Sequence, residues 1–169
     1  MIKSVDKENS TSIFNKNLEL FVGKNYDYYR FIWNRLEKRK GTFSLNIPAF
    51  FFLTIWLAYR KMYRTLGIYL AVNFGFMFLT LILAGTPFCI VSLTVGFLLT
   101  AYMSFIFVFR ANHMYRTFAI EKTTQIMNEY KKKDIERVLT EEGGTSMNSA
   151  IFMGFIVVTS IIANLLIML

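Results

Sequence analysis

The sequence predicts an all-α membrane protein with three transmembrane helices, one short re-entrant or interfacial apolar helix and one basic amphipathic cytoplasmic helix. The first observation is composition, because 54% of the 169 residues are hydrophobic, too many for a water-soluble globule of this size. The second is charge placement, because all nineteen basic residues lie outside the uncharged stretches 65–109 and 143–169. A charged side chain at the centre of a bilayer helix costs about 2.5 to 3.5 kcal/mol, so a membrane imposes such segregation.

Residues 1–20 are polar with scattered charges and predict a flexible tail ahead of a single membrane domain over 21–169. The tail has no apolar core of the kind that a signal peptide carries. We therefore expect the N-terminus to stay in the cytoplasm.

Residues 25–40 predict an amphipathic helix. Its apolar and aromatic side chains recur at helical spacing, at Val22, Tyr26, Tyr29, Trp33 and Leu36. Other positions on and just beyond the helix carry the basic residues Arg30, Arg35, Lys38, Arg39 and Lys40. The helix either lies in the headgroup region of the membrane, which the pattern favours, or packs on the protein's own cytoplasmic surface.

Residues 45–59 form an apolar run of fifteen residues. A straight helix of that length covers roughly 22 Å, against about 30 Å of hydrocarbon. The flanking segments are both basic, and the positive-inside rule would keep both in the cytoplasm. We predict a re-entrant or interfacial segment here, whereas a crossing would make the protein a four-helix bundle.

Residues 65–84 and 87–109 predict two transmembrane helices joined by a short uncharged turn on the far side of the membrane. Residues 110–149 mix basic and acidic side chains and predict a cytoplasmic helical segment. The apolar run 150–169 predicts a third crossing. This arrangement places the N-terminus inside and the C-terminus outside.

Two stripes of small residues, each spaced by four, mark one face of each hairpin helix. They are Gly67, Ala71 and Gly75 on the first helix, and Ser92, Gly96, Thr100 and Ser104 on the second. Small faces let helix backbones approach closely in lipid, where packing geometry decides association. The stripes therefore predict a tightly packed hairpin.

Residues 59–64 combine rings and cations at a membrane edge, through Tyr59, Arg60, Lys61, Tyr63 and Arg64. Such a cluster is typical of an interface anchor, with rings at headgroup depth and positive groups on phosphates. A sharper hypothesis is a site for anionic lipid or a protein partner, joined by the basic residues of the 25–40 helix.

We expect no catalytic residues, cofactor, metal site or nucleic-acid partner. The lone His113 has no nearby carboxylate or cysteine in the sequence, and Cys89 lies inside an apolar run. The basic residues lie beside membrane segments, and no nucleic-acid recognition motif is present.

Three motifs resemble a known family. They are FVGKNYDYY at 21–29, NIPAFFFLTIWLAYRKMY at 46–63 and GGTS at 143–146, before the final apolar helix. Together they resemble the bacterial membrane proteins classed as domain of unknown function 2628, whose central motif is usually closer to NWAAFFFGPFWLAYRKMY. Leu53 and Thr54 stand where that family usually has Gly-Pro. The resemblance implies a bacterial membrane protein and assigns no activity.

These observations lead to a non-enzymatic protein of the bacterial inner membrane, a small scaffold or regulator. Its basic cytoplasmic face would bind anionic lipid headgroups or a protein partner. The alternative is an oligomeric channel or transporter subunit, or an immunity-type membrane protein, assembled as a homo-oligomer through the small-residue faces.

Overall fold

The computed structural model describes the backbone of residues 2–83 and 85–168 and the side chains of residues 11–83 and 85–162. Within this part the chain is helical and contains no strand, which confirms the all-α fold class. In chain order the helices are α1 (Ile2–Val22), α2 (Tyr26–Lys38), α3 (Ile47–Tyr59), α4 (Tyr63–Ile82), α5 (Phe88–Glu129), α6 (Lys132–Glu142) and α7 (Met147–Met168), with a 3-10 turn at Gly23–Asn25.

The chain forms two compact units. The first unit comprises Met1–Ser44 and Asn112–Ser146, and the second comprises Leu45–Ala111 and Met147–Leu169. Helices α1, α2 and α6 therefore belong to the first unit, and α3, α4 and α7 belong to the second. Helix α5 passes from the second unit into the first at Asn112.

The prediction of a flexible tail over 1–20 is wrong, because α1 occupies that stretch. The helix packs on α6, and it buries Leu18, Phe21 and Val22 at its C-terminal end. The partner helix begins more than a hundred residues later in the chain, at Lys132. Polar residues dominate α1 before Leu18, so its own sequence carries little helical periodicity.

Among the described residues, three helices are long and apolar enough to cross a membrane, as predicted: α4, the first part of α5, and α7. Their large apolar side chains are mostly exposed, up to 75% at Ile90 and 74% at Phe97. Such surfaces are typical of helices that face lipid rather than water.

Helix α5 extends twenty residues beyond the predicted end at residue 109. With 42 residues it is about 63 Å long, roughly twice the hydrocarbon thickness. The charged residues after 109 end the apolar run but do not end the helix, because charged side chains on a helix outside lipid are compatible with helical structure. The predicted cytoplasmic segment 110–149 is therefore the end of α5 followed by α6.

Helix α3 has thirteen residues and is the one shorter apolar helix among the described residues. Asn46 caps its start by accepting a hydrogen bond from the Ala49 backbone N–H at 3.0 Å, and Pro48 occupies its first turn. The helix breaks at Phe52, where the backbone is non-helical. It packs on α7 and on α4. The kink at Phe52 therefore forms although Leu53 and Thr54 stand where the family usually has Gly-Pro.

Helices α2 and α3 both end with a lysine in the left-handed region, Lys40 at φ 47° and Lys61 at φ 57°. In each case the next residue, Gly41 or Met62, donates a backbone hydrogen bond to a carbonyl five residues earlier, at 3.0 Å. This is the Schellman arrangement, which usually has glycine at the left-handed position. It turns the chain sharply after each helix.

One buried hydroxyl in the first unit permits a stability test. Thr123 on α5 is 0% exposed, and its Oγ1 has no hydrogen-bond partner. Replacing Thr123 with valine keeps the shape and removes the unsatisfied group, so we expect a gain of about 1 to 2 kcal/mol in unfolding free energy. Denaturation of the purified protein in detergent measures it. Thr124→Val is the matched control, because the exposed Thr124 hydroxyl donates to the Ile120 carbonyl at 2.8 Å, and it should give no gain.

Candidate functional site

The candidate site is built on the contact between α2 and the last part of α5. The rings of Tyr29 and Tyr115 lie 4.6 Å apart, and those of Trp33 and Tyr115 lie 5.9 Å apart. The Trp33 indole N–H also donates to the Asn112 carbonyl at 3.0 Å. Tyr29, Trp33, Leu36 and Tyr115 are all buried. Aromatic packing with a directed hydrogen bond fixes α2 in position and in rotation.

The preferred prediction for α2, that its aromatic stripe lies on the membrane, is corrected by this contact. The stripe residues Tyr29, Trp33 and Leu36 are the ones that the sequence identified, but they pack on the protein itself, as the alternative proposed. The reason is the continuation of α5 beyond residue 109, which supplies Tyr115 as a partner. Exposed rings remain elsewhere on α2, at Tyr28 and Phe31.

Polar contacts join the C-terminal end of α2 and the residues after it to the same part of α5. The Arg116 guanidinium lies 2.9 Å from the Glu37 carboxylate. The Asn112 side-chain amide donates to the Ser44 hydroxyl at 3.0 Å. An ion pair this exposed contributes at most about 1 kcal/mol. The ion pair joins one position on α2 to one position on α5 and so helps to set the register of the two helices.

The docked helix exposes its basic residues. Arg30 is exposed, and so are the four residues that we call the basic collar, namely Arg35, Lys38, Arg39 and Lys40. Phe31 is exposed on the same helix and lies one turn before Arg35. Cations beside an exposed ring are the combination found where proteins meet lipid headgroups.

The residues of the 59–64 cluster do not form one exposed surface. Arg60 is only 4% exposed, with its guanidinium 5.5 Å from the centre of the Tyr59 ring. Tyr63 and Arg64 are exposed, and Lys61 is half-buried. The expectation that Arg60 belongs to a lipid-facing surface is therefore corrected, because its side chain is packed inside the second unit.

Only the second small-residue stripe lies at the hairpin contact. The hydroxyls of Ser104 and Tyr69 lie 2.8 Å apart, and those of Ser92 and Thr80 lie 3.2 Å apart. A Cβ on Gly96 would meet the Phe76 side chain at 3.6 Å. Thr100, the remaining residue of this stripe, is half-buried.

The small-residue stripe on α4 faces away from α5, the other helix of the hairpin. The prediction that this stripe packs in the hairpin is therefore corrected. A Cβ added at Gly67 or at Gly75 would meet no heavy atom within 4 Å, and Ala71 is exposed. Larger side chains on α4 make the contact instead, because a tyrosine and a threonine hydroxyl can reach hydrogen-bond partners on α5. The small residues of α4 consequently form an open face of the second unit.

The pKa shifts found in the first unit belong to residues outside the basic collar. The Lys16 ammonium donates to the Glu136 carboxylate at 2.9 Å. This hydrogen bond and the accompanying charge lower the pKa of Glu136 and raise the pKa of Lys16. Burial raises the pKa of the Tyr26 hydroxyl at the start of α2. Among the described residues no group of histidine, cysteine and acidic side chains could hold a metal ion.

The partner residues on α5 were not predicted from the sequence, although the sequence contains a signal for them. Beside the buried Asn112, a series of buried positions recurs on α5 at a spacing of four and then three, at Ala111, Tyr115, Ala119, Thr123 and Ile126. This stripe has the helical period. It shows that the helix continues with a buried face.

The fold and site define a class: helical proteins with three helices suited to crossing a membrane and a separate helical unit that carries a basic collar. No curated protein and no solved structure matches the chain. The chain belongs to the family described as protein of unknown function (DUF2628), whose profile matches residues 13–120. The match includes α2, α3 and α4 and ends within α5, so it leaves the GGTS motif outside.

Proposed function

We propose that the protein is a non-enzymatic scaffold of the bacterial cytoplasmic membrane and that its basic collar binds anionic lipid headgroups. The observation that carries the proposal is the docking of α2, which buries the aromatic stripe on α5 and exposes Arg35, Lys38, Arg39 and Lys40. A fixed helix presents these cations without a large loss of backbone freedom on binding.

Charge placement in the second unit supports an orientation with the collar on the cytoplasmic side. This unit contains four basic residues and no acidic residue, namely Arg60, Lys61, Arg64 and Arg110. The contact between Tyr69 and Ser104 places the start of α4 beside the part of α5 that leads to Arg110, and Tyr63 bonds to Ser149 at the start of α7. All four cations therefore lie at one end of the spans, as the positive-inside rule requires.

Within its own unit, the collar is held by the first residues that α5 contributes to that unit. Trp33 and Glu37 contact Asn112 and Arg116, which follow Arg110 by two and six residues on the same helix. We propose that the collar cations, which lie on α2 and just after it, meet lipid headgroups on the cytoplasmic side. Basic residues immediately cytoplasmic of a span each contribute about 1 kcal/mol to binding an anionic membrane surface.

The test compares two sets of three consecutive cations. The collar variant carries Lys38→Gln, Arg39→Gln and Lys40→Gln, and the control carries Lys131→Gln, Lys132→Gln and Lys133→Gln. The control cations are also exposed, but they follow Glu129, which lies seventeen residues after Asn112, or about 26 Å along the helix. Each full-length protein is equilibrated with mixed micelles of phosphatidylglycerol and phosphatidylcholine, and the retained lipids are measured by mass spectrometry.

We expect the collar variant to lower the ratio of retained phosphatidylglycerol to phosphatidylcholine by at least about tenfold, since three cations at about 1 kcal/mol each are lost. The control variant should retain the native ratio. An unchanged ratio in the collar variant overturns headgroup binding by the collar. Equal losses in both variants would show that total charge, rather than this site, determines lipid retention.

A further inference from the structure

Helix α3 presents an exposed aromatic surface that the proposed headgroup site does not use. Phe50, Phe51 and Phe52 are consecutive and are 56%, 67% and 61% exposed. The opposite side of the helix is buried at Ala49, Trp56 and Leu57. Helix α3 packs on α7 and α4, both apolar enough to cross a membrane. A surface continuous with two such helices is expected to lie in the same hydrocarbon.

The kink shows how the segment can enter the membrane without crossing it. Residues 53–59, after the break at Phe52, cover only about 10 Å of helix, less than half of the roughly 30 Å hydrocarbon core. The segment 41–59 contains no charged residue, so no charged side chain in it opposes insertion.

Contacts with α7 give the depth of the segment. Tyr63 bonds to Ser149 at the cationic end of α7, and Ile55 lies beside Gly154, 3.8 Å from the position of a Cβ on that glycine. Gly154 follows Ser149 by five residues, or about 8 Å along the helix. Phe52 precedes Ile55 by three residues and is therefore further from Tyr63 along the chain. These positions place the break inside one leaflet.

Both ends of α3 are tied to the cationic side. Its C-terminal end leads through Arg60 and Lys61 into α4. At its N-terminal end, Ser44 directly precedes Leu45 and accepts a hydrogen bond from Asn112, two residues after Arg110 on α5. A segment that enters and leaves on the same side occupies only the leaflet on that side.

We propose that α3 is a wedge inserted into the acyl chains of the cationic-side leaflet and that it makes the protein favour membranes that are convex towards that side. Among the described residues of the second unit, four helices would occupy this leaflet and three the other, so this unit would have a larger cross-section on the cationic side. Insertion into one leaflet makes membrane association sensitive to curvature. The proposal rests on the membrane insertion in the proposed function but does not require headgroup binding.

Depth is measured with spin labels on full-length protein in phosphatidylcholine bilayers, which contain no anionic lipid. Each variant carries Cys89→Ser and one new cysteine, at Phe51, at Phe74 on α4 or at Ile13 on α1; all three side chains are exposed. We expect the Phe51 label to be shielded from a water-soluble relaxation agent and shallower than the Phe74 label. A Phe51 label as accessible to water as that at Ile13, or as deep as that at Phe74, overturns the wedge.

Curvature preference is measured by the orientation of the protein in vesicles of different diameters. Labelling of Ile13→Cys and Thr86→Cys from outside, each with Cys89→Ser, reports which end faces outward. We expect the cationic end to face outward more often in small vesicles than in large ones. Changing Phe50, Phe51 and Phe52 together to serine should abolish this dependence on size, while the same changes to leucine should preserve it.

The serine variant leaves the first unit unchanged. Any preferred orientation that the size of the first unit causes therefore persists in this variant. A size dependence equal to the native one in the serine variant overturns the curvature preference. Failure of phosphatidylglycerol retention in the collar experiment would leave both of these measurements unaffected, because they use uncharged lipid.

Discussion

Replacing Gly143 with alanine is expected to separate α1 from α6. Gly143 is the C-cap of α6, and a Cβ there would lie less than 3.0 Å from the carbonyl oxygen and carbonyl carbon of Phe21 and from the Leu139 oxygen. These are backbone atoms, which cannot rotate away as a side chain can. Gly144 also donates to the Phe21 carbonyl at 2.6 Å. Relief of the clash must therefore move the end of α1 and break this hydrogen bond, at a cost of about 3 kcal/mol or more.

The measurement is amide hydrogen exchange of α1 in the full-length protein in detergent. A loss of about 3 kcal/mol corresponds to exchange faster by about a hundredfold for amides that exchange through opening of α1. Gly144→Ala is the matched control. Gly144 has φ +67° but open space around its Cβ position, so alanine there costs about 1 kcal/mol of backbone strain. Native protection of α1 in Gly143→Ala would contradict the steric account.

This contact also shows what the sequence could not predict. The motifs FVGKNYDYY and GGTS are both visible in the sequence, but nothing in either indicates that Phe21 and Gly143 meet. Their separation along the chain is far beyond the range of helical periodicity. For the same reason the sequence predicts a tail in place of α1, since the buried residues of this helix depend on a partner helix at the other end of the chain.

The three helices suited to crossing a membrane were predictable because a bilayer would act on each segment separately. Absence of charge over 65–109 is a local property, and α4 and the first part of α5 follow from it. Contacts between helices were less predictable. The small residues of α5 pack as expected at Gly96, whereas α4 uses Tyr69 and Thr80 in place of Gly67 and Gly75. Residue size indicates which faces can approach closely, but hydrogen-bond reach decides which face does.

The stripe of α2 is an intermediate case. Helical spacing identified Tyr29, Trp33 and Leu36 as the apolar face, and these residues are buried. Spacing alone cannot distinguish lipid from protein as the partner, because both offer an apolar surface. The partner became evident only with the position of Tyr115 on the extended α5.

Replacing Tyr115 with alanine is expected to release α2 from α5. Tyr115 is 0% exposed and its ring lies near those of Tyr29, Trp33 and Phe118. Removing a buried aromatic side chain of this size costs about 3 to 5 kcal/mol. Hydrogen exchange of residues 26–38 in the full-length protein should accelerate by at least about a hundredfold. Tyr28→Ala is the control, because Tyr28 is 51% exposed on the same helix, and its effect should stay within about 0.5 kcal/mol.

The released helix provides a direct test of how the collar is held. Once freed, the aromatic stripe of α2 becomes available to the membrane surface, since Tyr29 and Trp33 lose their partner on α5. In detergent the variant should lose its selective retention of phosphatidylglycerol, because α2, which carries the collar, is no longer fixed on α5. In anionic bilayers, protection of residues 26–38 should partly return as the stripe binds the interface. Phosphatidylglycerol retention equal to the native value in detergent would show that the collar binds lipid without the docked geometry.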